Sequence, residues 1–368
     1  MSTEQRILIK GNEAVAFGAV DAGLRCYFGY PITPQNEIPE ALSTLLPERG
    51  GQFVQAESEV AAVNMLLGAA ACGVPSMTSS SGCGLSLMQE GISYMAGSHI
   101  PGVLVNMQRG GPGLGDIGPS QGDYFQAVKG GGHGDHRNLV LAPATAQECY
   151  DCMFRALALA FKYANPVLVL GDAIVGQIKE PVRRVPPADA VSEKTLAALA
   201  APWRMEGYGK RGPDAQPRLL KSVYLAEGAL AERNRLLAQK YAAMQAECAW
   251  ECTDVEDATL VVVAFGSVAR IARSTIRRLR AEGVRVGLFR PLTLFPFPAE
   301  ALRALLPGRR FLVMEQNLGQ MVEDVRLALF GQPGVTPATV QWHGIMPGLF
   351  VNADDLREPM LQALKEAF

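Results

Sequence analysis

No apolar run in this chain approaches the ~18 consecutive residues that a membrane-crossing helix needs. The opening residues, MSTEQRILIK, lack the basic stretch and apolar core of a secretory leader. These two absences lead us to expect no membrane partner and a cytoplasmic location. Charge is scarce as well. Charged residues make up 19% of the chain and the formal net charge is −2, which leaves no electrostatic basis for binding nucleic acid or an anionic surface. Cysteines number seven, an odd count that argues against a disulfide framework. Cys149 and Cys152 form a lone C-x-x-C within a helical-looking run, and Cys248 and Cys252 are spaced as neighbours on one helical face. An iron–sulfur cluster takes four thiolates in tight local spacing, and no such set occurs, so all seven read as free thiols. If electrons leave this protein, another chain carries the clusters. Also missing are a G-x-x-x-x-G-K phosphate loop and a G-x-S-x-G nucleophile elbow.

What is present is alternation. At 368 residues the chain exceeds one ordinary core, and two domains are expected. Residues 11–22, 36–46, 59–72, 84–97 and a run from Thr145 have helical spacing of small and apolar side chains. Between them, 26–30, 52–56, 74–78, 103–107, 139–142 and 166–170 read as short strands. The run 103–107 shows no alternation of apolar and polar residues, the mark of a strand buried on both faces. Strands alternating with helices of this length mean βαβ units and a parallel sheet. Beyond residue 180, Pro181, Pro186, Pro187, Pro202, Pro213 and Pro217 interrupt any regular pattern, which predicts a linker. Within it, 224–250 reads as a surface helix with Leu225, Leu230, Leu237, Tyr241 and Met244 as its apolar stripe. A second α/β unit begins near Ala258, with strands at 260–265, 284–289 and 311–314, helices at 268–282, from Ala299 and at 321–330, and a proline-rich loop (PLTLFPFP) at 291–298. The expected fold is α/β, two doubly wound domains at 1–180 and 258–368 joined by an irregular linker at 181–257.

Ligands of open α/β sheets bind at the carboxyl ends of the strands. The first such end carries residues 30–34, YPITP. Pro31 and Pro34 fix φ and cannot sit in a helix interior or a central strand. Tyr30 and Thr33 precede proline and are pushed to extended geometry, so a stiff loop presents the Thr33 hydroxyl. The next strand end offers Glu57 and Glu59, the next a Ser/Gly turn (SSSGCG), and the next Arg109. A carboxylate at a helix start is ordinarily a favourable dipole contact, and a single arginine at a strand end is ordinarily a surface ion pair. Four such groups on one sheet edge describe a pocket. Two other motifs carry less weight. Gly113-x-Gly115-x-x-Gly118 fits the dinucleotide pattern but does not follow a strand directly, and Pro119 rather than an apolar helix comes next. His133-Gly134-Asp135-His136 sits in a glycine-rich loop without an evident third metal ligand.

The runs YFGYPITPQNEIPE, FVQAESEVAAVNMLLGAAACG, MTSSSGCGLSLMQEG and VNMQRGGPGLGDIGPSQGDYFQAVKGGGHGD together resemble the 2-oxoacid:ferredoxin oxidoreductases. Within that family, the alpha subunit of the branched-chain (2-oxoisovalerate) type is the nearest likeness. VVVAFGSVARIAR, GLFRPLTLFPFP and VMEQNLGQMVEDVRLAL extend the resemblance to the second half. It implies an N-terminal thiamine-diphosphate-binding domain of the pyrimidine type and a C-terminal transketolase-C-like domain. The activity implied is oxidative decarboxylation of a 2-oxoacid with coenzyme A, giving acyl-CoA and CO2, with electrons passed to ferredoxin. By the same resemblance the thiamine diphosphate is shared with a beta subunit holding the diphosphate, Mg2+ and a 4Fe-4S cluster, and gamma and ferredoxin-like delta subunits complete the complex. The lack of a Gly-Asp-Gly…Asn diphosphate motif here fits that division. Carried over residue by residue, Glu59 is implied to hydrogen-bond the aminopyrimidine ring, Pro31 to touch that ring through its backbone, and Thr33 and Arg109 to hold the substrate. Counting to the Gly68-Ala69 pair favours Glu59 over Glu57. A 2-oxoglutarate or aryl glyoxylate substrate, NAD(P) as final acceptor, and a non-catalytic scaffold subunit are the alternatives.

Overall fold

The structure, a computed structural model, describes residues 6–207, 210–212 and 218–365. Pro213 and Pro217, counted above among the linker prolines, lie outside the described residues, as do residues 1–5. The first half runs β1 (Arg6–Lys10), α1 (Gly11–Asp21), β2 (Cys26–Gly29), α2 (Glu37–Glu48), β3 (Gln52–Gln55) and α3 (Glu59–Ala71). It continues through β4 (Ser76–Ser80), α4 (Cys83–Ser98), β5 (Gly102–Gln108), α5 (Tyr124–Lys129), β6 (Leu139–Leu141), α6 (Ala146–Tyr163), β7 (Pro166–Asp172) and α7 (Ala173–Gln177). Then come β8 (Lys179–Arg183), α8 (Glu193–Ala200) and α9 (Ala229–Ala243). The second half contributes β9 (Trp250–Thr253), β10 (Leu260–Val263), α10 (Gly266–Ala281), β11 (Val286–Pro291), β12 (Thr293–Phe295) and α11 (Ala299–Ala304). It ends with β13 (Arg310–Glu315), α12 (Met321–Leu329), β14 (Val340–Gly344) and α13 (Arg357–Lys365).

Seven strands form the first sheet in the order β12-β6-β7-β5-β4-β2-β3, and five form the second in the order β14-β13-β10-β11-β9. Each sheet is parallel except for one edge strand, β12 in the first and β9 in the second. Every residue of β5 and β7 is buried, which is why those sequences run apolar without alternation and take the sheet centre. Helix starts are capped by the residues expected to do so: Ser58 accepts from the Ala61 N–H, Thr145 from Glu148 and Asp172 from Val175. One apolar cluster, containing Leu66, Met88 and Leu104, continues through Phe265, Phe289 and Phe311 of the second half. The two sheets are therefore packed through a common core.

Three segments differ from expectation. The proline-rich stretch 291–298 is not all loop: β12 crosses to the first sheet and pairs antiparallel with β6. Thr293 and Leu294 are buried there. Pro291 ends β11 and Pro296 follows β12, so neither proline sits inside this short edge strand. Lys179–Arg183, expected in the linker, pairs antiparallel with Arg6–Lys10, and Pro181 is accommodated because that two-stranded ribbon is all edge. The helix expected over 224–250 is the shorter α9, followed by a 3-10 turn, Met244–Glu247, and then β9. Gly228, at φ 76°, starts it. Leu237 and Met244 are buried, whereas Leu225 and Leu230 are exposed, because only the later turns reach the core.

Candidate active site

The carboxyl ends of β2, β3, β4 and β5 meet at one edge of the first sheet. Pairing of β2 with β3 sets Gly29 opposite Gln55, and the Ala56 N–H donates to the Gly29 carbonyl at 2.9 Å. The proline loop therefore lies beside the turn that carries Glu57 and Glu59. Its stiffness has more than proline behind it. The Pro34 carbonyl accepts from Asn12 Nδ2 at 2.7 Å and from Gln177 Nε2 at 2.8 Å. Ser79 Oγ donates to Gln35 Oε1 at 2.6 Å, and Gln35 is fully buried. Asn12 and Gln177 also donate to the Glu37 carboxylate, which Lys10 bonds too. Burial works against that charge, but these three donors hold the Glu37 carboxyl below the ordinary carboxylate range. Pro31 itself is exposed at the loop's tip.

Glu57 is exposed, whereas Glu59, one residue past the Ser58 cap, is 4% exposed. Ser80 Oγ, from the end of β4, donates to Glu59 Oε1 at 3.0 Å. Gly84 makes room for this contact: a Cβ there would stand 2.3 Å from Glu59 Oε1 and 2.0 Å from Ser80 Oγ. Glycine at 84 thus lets the start of α4 close over a buried carboxylate.

Arg109, just past β5, donates from Nη1 to the Thr33 carbonyl at 3.0 Å and from Nη2 to Cys83 Sγ at 3.6 Å. The structure thus joins Arg109 to the proline loop through the Thr33 backbone. The Thr33 hydroxyl accepts from Asn36 Nδ2 at 3.3 Å, and Thr33 lines a separate cavity of about 680 Å³ between α7, α10 and Phe350. Arg109 and Cys83 line a cavity of about 590 Å³ whose other walls are the loop Gly110–Gly113, Asp123, Gln126 and, from the second half, Asn317, Leu318, Gln320 and Pro347. Burial pushes the Asp123 carboxyl up, against the opposing effects of a 2.9 Å hydrogen bond from Asn106 and the charge of Arg109.

The wall from the second half is held by a reciprocal amide clamp not foreseen from sequence. The Gln121 N–H donates to the Gln316 carbonyl and the Gln316 N–H returns a bond to Gln121 Oε1, at 2.8 and 3.1 Å. Asn317 Nδ2 donates to the Gln121 carbonyl, and Gln320 bonds both the Phe125 N–H and the Gly122 carbonyl. Glu315, fully buried, accepts from the Gln320, Met321 and Val322 N–H groups at the start of α12. Polar residues directly after the apolar strand 310–315 were the available signal, the same one that pointed to Arg109. The loop 110–118 folds back on itself, with a bridge between Gly110 and Asp116, and opens no helix at Gly118. His136 is buried and His133 exposed. Among the described residues no three His, Cys, Asp or Glu side chains converge to hold a metal.

A doubly wound pair of sheets with a buried carboxylate at the strand ends and an arginine-bearing cavity shared between them defines the class: a thiamine-type α/β enzyme subunit. Residues 17–217 match the family described as pyruvate flavodoxin/ferredoxin oxidoreductase, thiamine diphosphate-binding, and 258–355 match pyruvate:ferredoxin oxidoreductase core domain II. The chain belongs to this family and is an alpha-type subunit of the 2-oxoacid:ferredoxin oxidoreductases. It is 50% identical over 323 residues to the ketoisovalerate oxidoreductase subunit VorB of Methanothermobacter thermautotrophicus, covering 87% of this chain and 89% of that one. Its fold superposes with a TM-score of 0.85 at 27% identity on 2-oxoglutarate:ferredoxin oxidoreductase from Magnetococcus marinus, solved with 2-oxoglutarate, coenzyme A and succinyl-CoA bound. That match covers 98% of this chain but spans 65% of the other. Transketolase from Campylobacter jejuni shares the fold at a TM-score of 0.57 and 11% identity over 97% of this chain and 47% of its own. Among the described residues no helix is long and apolar enough to cross a membrane.

Proposed function

We propose that this chain builds one wall of an active site completed by a beta subunit, and that the complex converts 2-oxoisovalerate or another branched-chain 2-oxoacid, with coenzyme A, to acyl-CoA and CO2. Electrons leave to ferredoxin. The observation that carries this reading is buried Glu59, bonded by Ser80 and set against Gly84 of α4, with the neighbouring residue Cys83 lining the cavity of Arg109. Branched-chain specificity is supported by the 50% identity to a ketoisovalerate-named relative. Glu59 and the Pro31 backbone hold the aminopyrimidine ring of thiamine diphosphate, and a carboxylate in such a low-dielectric place makes a strong hydrogen bond. When bound, the cofactor supplies the carbon nucleophile and the electron sink for loss of CO2. Arg109 grips the 2-oxoacid carboxylate in a bidentate manner, and Thr33, whose hydroxyl lies on the neighbouring cavity, serves this grip through the carbonyl that Arg109 bonds. Mg2+ and a 4Fe-4S cluster belong to the beta subunit, with gamma and ferredoxin-like delta subunits beside it in the cytoplasm. Val60 and Met65 of α3 and Leu87 and Tyr94 of α4 are exposed apolar residues on the two helices that carry Glu59 and Cys83, in keeping with a partner that covers these helices.

The chain is to be expressed alone and with its partner subunits and assayed for 2-oxoacid-dependent reduction of a low-potential acceptor. We expect activity only in the complex, and kcat/KM highest for 2-oxoisovalerate among 2-oxoisovalerate, 2-oxoglutarate, pyruvate and an aryl glyoxylate. Glu59→Gln should nearly abolish turnover while the subunits still assemble. Turnover by the isolated chain, or an active Glu59→Gln complex, would overturn the reading.

A further inference from the structure

An arginine that is to bind a carboxylate must be oriented without being neutralised. Arg109 carries five N–H donors, and two of them are used within the chain, on the Thr33 carbonyl and the Cys83 sulfur. Neither acceptor is a carboxylate. Among the described residues no carboxylate makes an ion pair with Arg109; the cavity's own acid, Asp123, feels the arginine's charge but takes its hydrogen bond from Asn106. The sulfur's position is set by the backbone, since Cys83 is the first residue of the 16-residue helix α4. That helix also brings Gly84 against Glu59, so one turn of backbone registers the arginine and the buried carboxylate to each other.

We infer that Cys83 is a positioning residue for Arg109. Its sulfur, acting with the Thr33 carbonyl, aims the guanidinium into the cavity. Because sulfur is a weak acceptor, three N–H groups of the guanidinium stay free for the carboxylate of the 2-oxoacid. A carboxylate at position 83 would reach the same guanidinium and occupy it. This inference rests on the substrate role proposed above for Arg109.

The test uses the complete complex. Cys83→Ala removes one tether, and we expect KM for the 2-oxoacid to rise about tenfold, the usual scale for losing a hydrogen bond to a charged group. Cys83→Asp should raise it more than a hundredfold, through an ion pair that competes with substrate. In both variants kcat and KM for coenzyme A should stay within about twofold of wild type, a split that general loosening of the fold would not produce. The second measurement needs no variant. Iodoacetamide should alkylate Cys83 in the wild-type complex, followed by mass spectrometry, and saturating 2-oxoisovalerate should slow that reaction at least fivefold. Wild-type KM in both variants, or an alkylation rate indifferent to substrate, would overturn the inference. If the wild-type complex itself turns over no 2-oxoacid, the underlying function falls with it; if it does and the Cys83 results are flat, only the positioning role falls.

Discussion

Gly84 shows how much of this site depends on a missing side chain. The approach of α4 to Glu59 and Ser80 leaves no room for even a methyl group. Gly84→Ala should cost about 1–3 kcal/mol through overpacking, seen as a lower melting temperature, and should weaken thiamine diphosphate binding to the assembled complex by calorimetry. A variant with wild-type stability and affinity would mean that the contact is soft. The strand-end loops that carry the candidates were readable from chain order, because strand ends are where proline, glutamate and arginine interrupt apolar runs, while the choice of Glu59 over Glu57 needed the family resemblance. Their partners were not. Ser80 and Cys83 looked like members of a plain Ser/Gly turn, and Asn12 and Gln177 belong to segments with no motif. Which of them bonds Pro34, Glu59 or Arg109 depends on elements far apart in sequence.

At the scale of elements, α4 is held at both ends. Its C-cap, His99, adopts the left-handed conformation at φ 54°. Its Nε2 is buried without a hydrogen-bond partner, and Arg233 and Lys240 of α9 face it. Arg233 donates to the Gly97 carbonyl and Lys240 to the Ala164 carbonyl, at the ends of α4 and α6. Burial, reinforced by those two cations, pushes the imidazole down to about 3 from its ordinary 6.5. Between these values the unfolded chain binds more protons than the folded one. Stability from this group is thus complete above pH 6.5 and lost progressively as pH falls toward 3. Thermal melts across this range should show Tm falling with pH in the wild type. His99→Asn, which tolerates the left-handed backbone, should flatten that decline; an unchanged slope would assign it to other groups. The main helices and strands of both halves were legible from period and length. β12 was not, because the prolines around it read as loop, β8 was hidden in the proline-rich linker, and α9 was read as a helix but too long.

At the scale of the molecule, the two sheets meet through an apolar cluster and a polar clamp, and the cavity beside Arg109 exists only because they do. Gln121 is fully buried. Its side chain satisfies the Phe265 carbonyl at 2.9 Å and the Gln316 N–H at 3.1 Å. Gln121→Ala strands both groups, each worth about 1–3 kcal/mol when buried and unpaired, and should lower Tm by several degrees. Because the same bonds fix the Asn317–Gln320 wall, KM for the 2-oxoacid should rise as well. A stability loss with unchanged KM would show that the wall is positioned without the clamp. Tyr124, donating to Asp324 at 2.7 Å, and Lys129, paired with the same carboxylate, reinforce this seam. From sequence alone came the α/β class and a set of strand-end candidates, the proline loop, Glu57, Glu59 and Arg109, since periodicity, proline chemistry and strand-end polarity are local properties of the chain. The choice of Glu59 and the roles of Pro31, Thr33 and Arg109 came from the family resemblance. Tertiary structure decided the burial of Glu59 beside exposed Glu57, the Thr33 and Cys83 tethers of Arg109 and the cavity wall from Asn317 to Pro347, because burial and hydrogen-bond partnership arise only when distant segments pack.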